Sequence, residues 1–144
     1  MTALEIGVFV PQGWKLEYDG WSGPDAWARS VELAELSESL GYDHLWVYDH
    51  VETVPDRRPT HVFEAYTMLS ALSQRTSRVG LGQLVTCASY RNVGLLAKEA
   101  ACLDVYSAGR SLDRSLRLRD PSRAWRLGRG DGRRALPRGT HRGL

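Results

Sequence analysis

Three short apolar runs set the frame for this chain: Glu5-Ile6-Gly7-Val8-Phe9-Val10, His44-Leu45-Trp46-Val47-Tyr48, and Val79 to Val85. A helical pattern follows each of them. Strands that are apolar throughout are buried on both faces, and helices between successive strands force parallel pairing. The first run ends at Pro11-Gln12-Gly13, which reads as a turn. Pro24 then suits the first position of a helix, with Leu33, Leu36 and Leu40 as its expected buried stripe and Gly41 as its stop. In the second helix Thr60 is the expected cap, and Ala65, Met68, Leu69 and Leu72 form the inward face. The third starts at Asn92, turns Leu96, Ala100 and Leu103 inward, and ends near Ser107-Ala108-Gly109.

The resulting order, β-α-β-α-β-α, belongs to two architectures: a doubly wound sheet and a (β/α)8 barrel. No G-x-G-x-x-G follows the first strand, which weakens the dinucleotide-binding version of the former. A barrel takes roughly 250 residues, so this chain of 144 would supply about three of its eight units.

Composition changes abruptly at Arg110. Residues 1–109 hold 14 acidic and 8 basic side chains, a net −6; residues 110–144 hold 11 arginines, no lysine and 3 aspartates, a net +8. The later segment has no Val, Ile, Phe, Tyr or Met, the residues that drive burial. Two regions are therefore expected: 1–109, able to build a core, and 110–144, an arginine-rich tail that is disordered or out of frame. Gly, Ala, Arg and Pro, which codons of G and C alone specify, make up 20 of the last 35 residues against 30 of the first 109. A frameshift near codon 110 in a GC-rich gene explains that contrast. The competing explanation is a genuine arm that binds nucleic acid or another polyanion. Against it, Trp125 is the one aromatic residue there for base stacking, so nucleic-acid binding is not expected. Arg129-Gly130-Asp131 spells an adhesion tripeptide that this composition produces by chance.

There is no charged-then-apolar leader and no apolar run near 18 residues, so neither a signal peptide nor a membrane span is expected. Cys87 and Cys102 fit no metal spacing and make no disulfide framework, which points to a cytoplasmic protein with reduced thiols and no metal.

In parallel α/β folds, ligands bind at the carboxyl ends of the strands, where the βα loops collect. Pro11-Gln12-Gly13-Trp14, Asp49-His50-Val51, Thr86-Cys87 and Tyr90-Arg91-Asn92 fall there. This mixture of aromatic, imidazole, carboxylate, hydroxyl and guanidinium groups suits a flat heteroaromatic ligand with polar edges. Gly80 and Gly82 form no phosphate loop; they are expected to let backbone approach closely inside a barrel. Cys87 has no basic neighbour in sequence to activate it as a nucleophile.

The segments "IGVFVPQGW", "GYDHLWVYDHV" and "FEAYTMLSALSQRTSRVGLGQLVTCASYRNVGLLAKEAACLDVYSAGR" resemble the N-terminal part of the bacterial luciferase-like flavin and deazaflavin oxidoreductases, almost continuously over residues 4–110. The resemblance implies a partial (β/α)8 barrel and a small organic substrate. It also implies hydride transfer with coenzyme F420 or monooxygenation with FMN, and "VTCASYRN" with "DH" leans toward F420. His50 takes the position of the family histidine beside the reactive ring, where imidazole can exchange a proton near neutral pH. The plainer alternative is that His50 only caps a strand and bonds a neighbouring loop. Asp49 would orient the imidazole or cap a loop. Leu84-Val85 is where the family backbone passes under the ring, often through a non-proline cis peptide, and Thr86 and Cys87 would meet the ring's edge or simply pack at a strand end. His44 and His61 are expected to be structural. The family's fourth strand and Gly-rich stretch do not follow "SAGR". Three strands cannot close a barrel, so open sheet edges, self-association and loss of cofactor binding and activity are expected of this chain.

Overall fold

The computed structural model describes residues 4–112. Asp113 to Leu144 lie outside the described residues, and with them the expected disorder of the tail, Trp125, the Arg129-Gly130-Asp131 triplet and the polyanion reading. Strands β1 (Gly7–Phe9), β2 (His44–Val47) and β3 (Gly80–Gln83) alternate with helices α1 (Gly23–Ser39), α2 (Ala65–Ser73) and α3 (Val93–Tyr106). The strands form one parallel sheet in the order β1-β2-β3, with Val8 opposite Leu45 and Leu45 opposite Leu81. The architecture is α/β, three βα units of a (β/α)8 barrel.

One sheet face carries the core. Val10, Leu45, Val47, Val79 and Leu81 pack against Ala34 of α1, Met68, Leu69 and Leu72 of α2, and Leu96, Ala100 and Leu103 of α3. Each fully buried leucine contributes roughly 2 kcal/mol through lost apolar contact with water. The other face holds Trp46 and His44. A Cβ on Gly7 would come within 2.2 Å of the Trp46 ring, one on Gly82 within 2.6 Å of it, and one on Gly80 within 2.6 Å of His44 Nδ1. The expected close approach at Gly80 and Gly82 is therefore made by side chains rather than backbone. His44 Nε2 pairs with Glu5 at 2.9 Å.

Several local expectations change. β1 is shorter than its apolar run and half open, with Ile6 53% and Phe9 38% exposed, because no described strand covers its outer edge. Helix α1 turns Ala26, Ser30 and Ala34 inward, not the leucine stripe; Leu36 and Leu40 are exposed. Ser30 sets that rotation, since its hydroxyl donates to the Pro11 carbonyl and shares a hydrogen bond with the buried Tyr18 hydroxyl. Small side chains also let the helix lie close to the sheet. Helix α2 is capped by Glu64, whose carboxylate accepts from the Tyr66 and Thr67 N–H groups, while Thr60 donates instead to the Tyr18 carbonyl. Helix α3 starts after Asn92 as expected, and the Asn92 side chain caps it by accepting from the Gly94 and Leu95 N–H groups.

The fold continues past the compositional boundary. Leu81 N–H donates to the Arg110 carbonyl, Leu112 N–H donates to the Leu81 carbonyl, and Ser111 forms a parallel bridge with Leu81. Residues 110–112 thus lie along the free edge of β3, where a fourth strand would begin.

Glu38, near the end of α1, accepts from three successive backbone N–H groups at Ser77, Arg78 and Val79 and so clamps the loop before β3. Burial pushes its pKa up, but these hydrogen bonds outweigh burial and hold it below the ordinary carboxylate value. A lowered folded-state pKa gives stability above the unfolded pKa of about 4.3 that is lost as pH falls through the folded value. Glu38→Gln is expected to lower the urea midpoint at pH near 7, and the gap from the parent should close on acidification. Equilibrium unfolding at several pH values checks both.

Candidate functional site

The carboxyl ends of the three strands bring the sequence-predicted residues to one end of the sheet. Gln12, at the end of the first strand run, is fully buried. Its amide donates to the Phe63 carbonyl at 2.5 Å and its oxygen accepts from Tyr48 N–H at 3.0 Å. One side chain thereby ties together the loops after β1 and β2. Gly13 follows with φ of +99°, and a Cβ there would lie 1.9 Å from the His61 carbonyl oxygen, so only glycine fits this turn. The turn carries Trp14 across the strand ends, where its ring stacks on His50 with centroids 4.1 Å apart and planes 15° apart.

Asp49 and His50 are sequence neighbours with separate partners. Asp49 is buried and receives both prongs of the Arg91 guanidinium at 2.6 Å, and its Oδ2 also accepts from Cys87 N–H at 2.8 Å. Its hydrogen bonds therefore go to the loop after β3 rather than to the imidazole. The His50 ring makes no hydrogen bond to a described residue and is held by the aromatic contacts with Trp14 and Tyr48.

Arg91 is the residue whose role the sequence did not disclose. Beyond Asp49 it pairs with Glu64, the cap of α2, lies 3.4 Å from Glu99 of α3, and sits over the Tyr66 ring. Hydrogen bonding to Asp49 raises its pKa further above an already high value, so it stays cationic. Burial raises the Glu99 pKa; Glu64, also pushed up by burial, is held low by its bonds to Thr67, Arg91 and Tyr66. A signal existed in "YRN" beside "DH", but the pairing spans 42 residues and needs the folded sheet to be seen.

Leu84-Val85 forms a non-proline cis peptide at the end of β3. Both side chains are exposed, at 47% and 72%. Thr86 is half-buried, and Cys87 Sγ lies 3.1 Å from the Ser89 hydroxyl. Together these residues offer an exposed apolar ledge followed by a hydroxyl and a thiol, and His50 lies past the end of the neighbouring strand β2. That set fits a planar ring with polar edges: the ledge supplies a surface for its face, and the flanking groups can meet its rim.

A sequence model of the luciferase-like monooxygenase family matches residues 4–112. The chain is 31% identical over 117 residues to N-acetyl-S-(2-succino)cysteine monooxygenase of Bacillus subtilis (strain 168), covering 75% of this chain and 26% of that protein. It is 29% identical over 84 residues to 5,10-methylenetetrahydromethanopterin reductase of Methanolobus tindarius, covering 58% and 23%. Among solved structures, an F420-dependent secondary alcohol dehydrogenase in complex with an F420–acetone adduct superposes with a TM-score of 0.58 at 25% identity, over 74% of this chain and 29% of that one. The chain thus spans about a quarter of the length of the curated relatives it matches. By the match that covers every described residue from Leu4 to Leu112, the chain belongs to the luciferase-like monooxygenase family.

Proposed function

We propose that residues 4–112 are the opening part of an oxidoreductase whose redox group is a planar tricyclic ring, coenzyme F420 or FMN, acting on a small organic substrate. The observation that carries this reading is the exposed Leu84-Val85 ledge, with Thr86 and Cys87 next to it in the chain and His50 past the end of the paired strand β2. When bound, F420 would exchange a hydride with the substrate, and reduced FMN would support oxygenation by dioxygen. His50 would take or give a proton at a ring nitrogen. Leu84 and Val85 would support the ring's face, and Thr86 and Cys87 would meet its edge. Asp49, spent on Arg91 and Cys87, would hold that ledge in place rather than touch the reacting atoms. The free thiols of Cys87 and Cys102 accord with a cytoplasmic setting, and among the described residues no helix is long and apolar enough to cross a membrane.

The 144-residue chain does not carry out this reaction alone. Barrel enzymes build their phosphate site from loops after the seventh and eighth strands, and the described residues supply three. The edge of β1, which no described strand covers, and its exposed Ile6 and Phe9 instead favour pairing with a second copy. On this reading a frameshift near codon 110 produced the arginine-rich remainder.

Titration of the purified chain with F420 and, separately, with FMN tests this directly. Neither is expected to saturate at micromolar concentration, with a full-length relative titrated under the same conditions as the control. Micromolar saturation by either one would overturn the incomplete-site reading and identify the cofactor at once. Nucleotide sequencing downstream of codon 112 tests the origin of the tail: another frame should resume a fourth strand and a Gly-rich stretch. If no frame does, the arginine tail is genuine.

A further inference from the structure

We infer that Trp14 is the positioning residue for His50, orienting the imidazole by face-to-face stacking in place of a carboxylate. The inference rests on the reading of His50 as the proton-handling group.

The indole is itself fixed from several directions. The Gly13 turn directs it, the Trp14 carbonyl accepts from Val54 N–H at 3.0 Å, and its edge meets Tyr48 at 4.7 Å. Tyr48 in turn stacks on Phe9 of β1 at 4.2 Å, with planes 6° apart. A ladder of rings therefore runs from the sheet to the loop: Phe9, Tyr48, Trp14, His50. The Lys15 ammonium lies 4.8 Å from the centre of the same indole, a second contact that holds the ring.

The chemistry of this arrangement differs from a carboxylate–histidine pair. A carboxylate orients imidazole by occupying one ring nitrogen and fixing the tautomer. A stacked ring orients it through its face and leaves both nitrogens free to exchange protons. Asp49 is adjacent in sequence yet spends both oxygens on Arg91 and Cys87. No other described side chain bonds the His50 nitrogens, so the stack sets the ring's direction.

Proton NMR of the intact 144-residue chain tests this without any cofactor. Glu and Asp need not be altered; Trp14→Leu, Trp14→Phe and, for assignment, His50→Gln suffice. The His50 ring protons should be shifted upfield by the indole in the parent, lose that shift in Trp14→Leu, and regain most of it in Trp14→Phe, which restores a stacking face. The His44 and His61 signals should stay in place. A His50 signal that does not move in Trp14→Leu, or no recovery in Trp14→Phe, would overturn the inference. Should Trp14→Leu lose its fold by circular dichroism, nuclear Overhauser contacts between the Trp14 and His50 rings in the parent decide: their presence supports the stack, and their absence overturns it. These signals do not depend on cofactor binding, so failure of the redox reading leaves them unchanged, and failure of the stack leaves the redox reading standing.

Discussion

Replacing Arg110 with methionine should cost about 3–5 kcal/mol of stability, a large part of what a small domain has. Its guanidinium donates five hydrogen bonds, to the carbonyls of Ser107, Val79, Ser73 and Thr76 and to the Thr76 hydroxyl, at 2.8–3.0 Å. These acceptors belong to the end of α2, the loop before β3 and the end of α3, so one side chain closes three termini together. Methionine fills similar space but leaves those carbonyls without their donor, and an unpaired buried acceptor costs about 1–3 kcal/mol. The sum stays below five independent bonds because the loops relax together. Urea unfolding at fixed protein concentration measures the loss, with Arg57→Met as the control. Arg57 is exposed, its ion pair with Glu52 is a surface one, and its removal should change stability by less than about 0.5 kcal/mol.

Arg110 also shows how far the sequence could be read. Counted by composition it is the first residue of an arginine-rich tail; bonded as it is, it belongs to the folded part of the chain. Composition averages over a window and cannot tell a solvated guanidinium from one that caps four carbonyls. Helices α2 and α3 were legible because their apolar residues recur on one face and no neighbouring stripe competes: Met68, Leu69 and Leu72, then Leu96, Ala100 and Leu103, are all buried. Helix α1 offered two stripes. The larger residues, Leu36 and Leu40, stayed outside because the Ser30 hydroxyl is anchored to the Pro11 carbonyl, a contact made across 19 residues. The same limit applies at the site. Each cluster could be placed at a strand end from the order of elements alone. Which member bonds which is decided only when the sheet brings the loops together, and it gave Asp49 to Arg91 and His50 to Trp14.

Arg91→Leu is expected to have a comparable effect by a different route, about 3–5 kcal/mol, because it leaves a buried carboxylate without its counter-charge. The Asp49 side chain is only 2% exposed, and Glu64 and Glu99 lie around the same guanidinium. With the cation gone, the Glu99 carboxyl, which burial already raises, loses the Arg91 charge that holds it down and moves further above its unfolded value. Groups raised in this way stabilise the fold where they are protonated, and that stabilisation is lost as pH rises through the folded value. The deficit of the variant should therefore be largest near pH 7 and shrink toward pH 5. Arg91→Lys, which keeps the charge but not the two-pronged geometry, should fall between. Asp49→Asn combined with Arg91→Leu should cost less than the sum of the single changes, since each removes the charge the other leaves stranded. Urea midpoints at both pH values measure all of these. Hydrogen exchange at the Cys87 amide provides a local reading: its bond to Asp49 Oδ2 should weaken in Arg91→Leu, and exchange there should accelerate more than in the core of α2. If the amide stays protected while global stability falls, Arg91 holds the helices and not the ledge beneath the proposed ring.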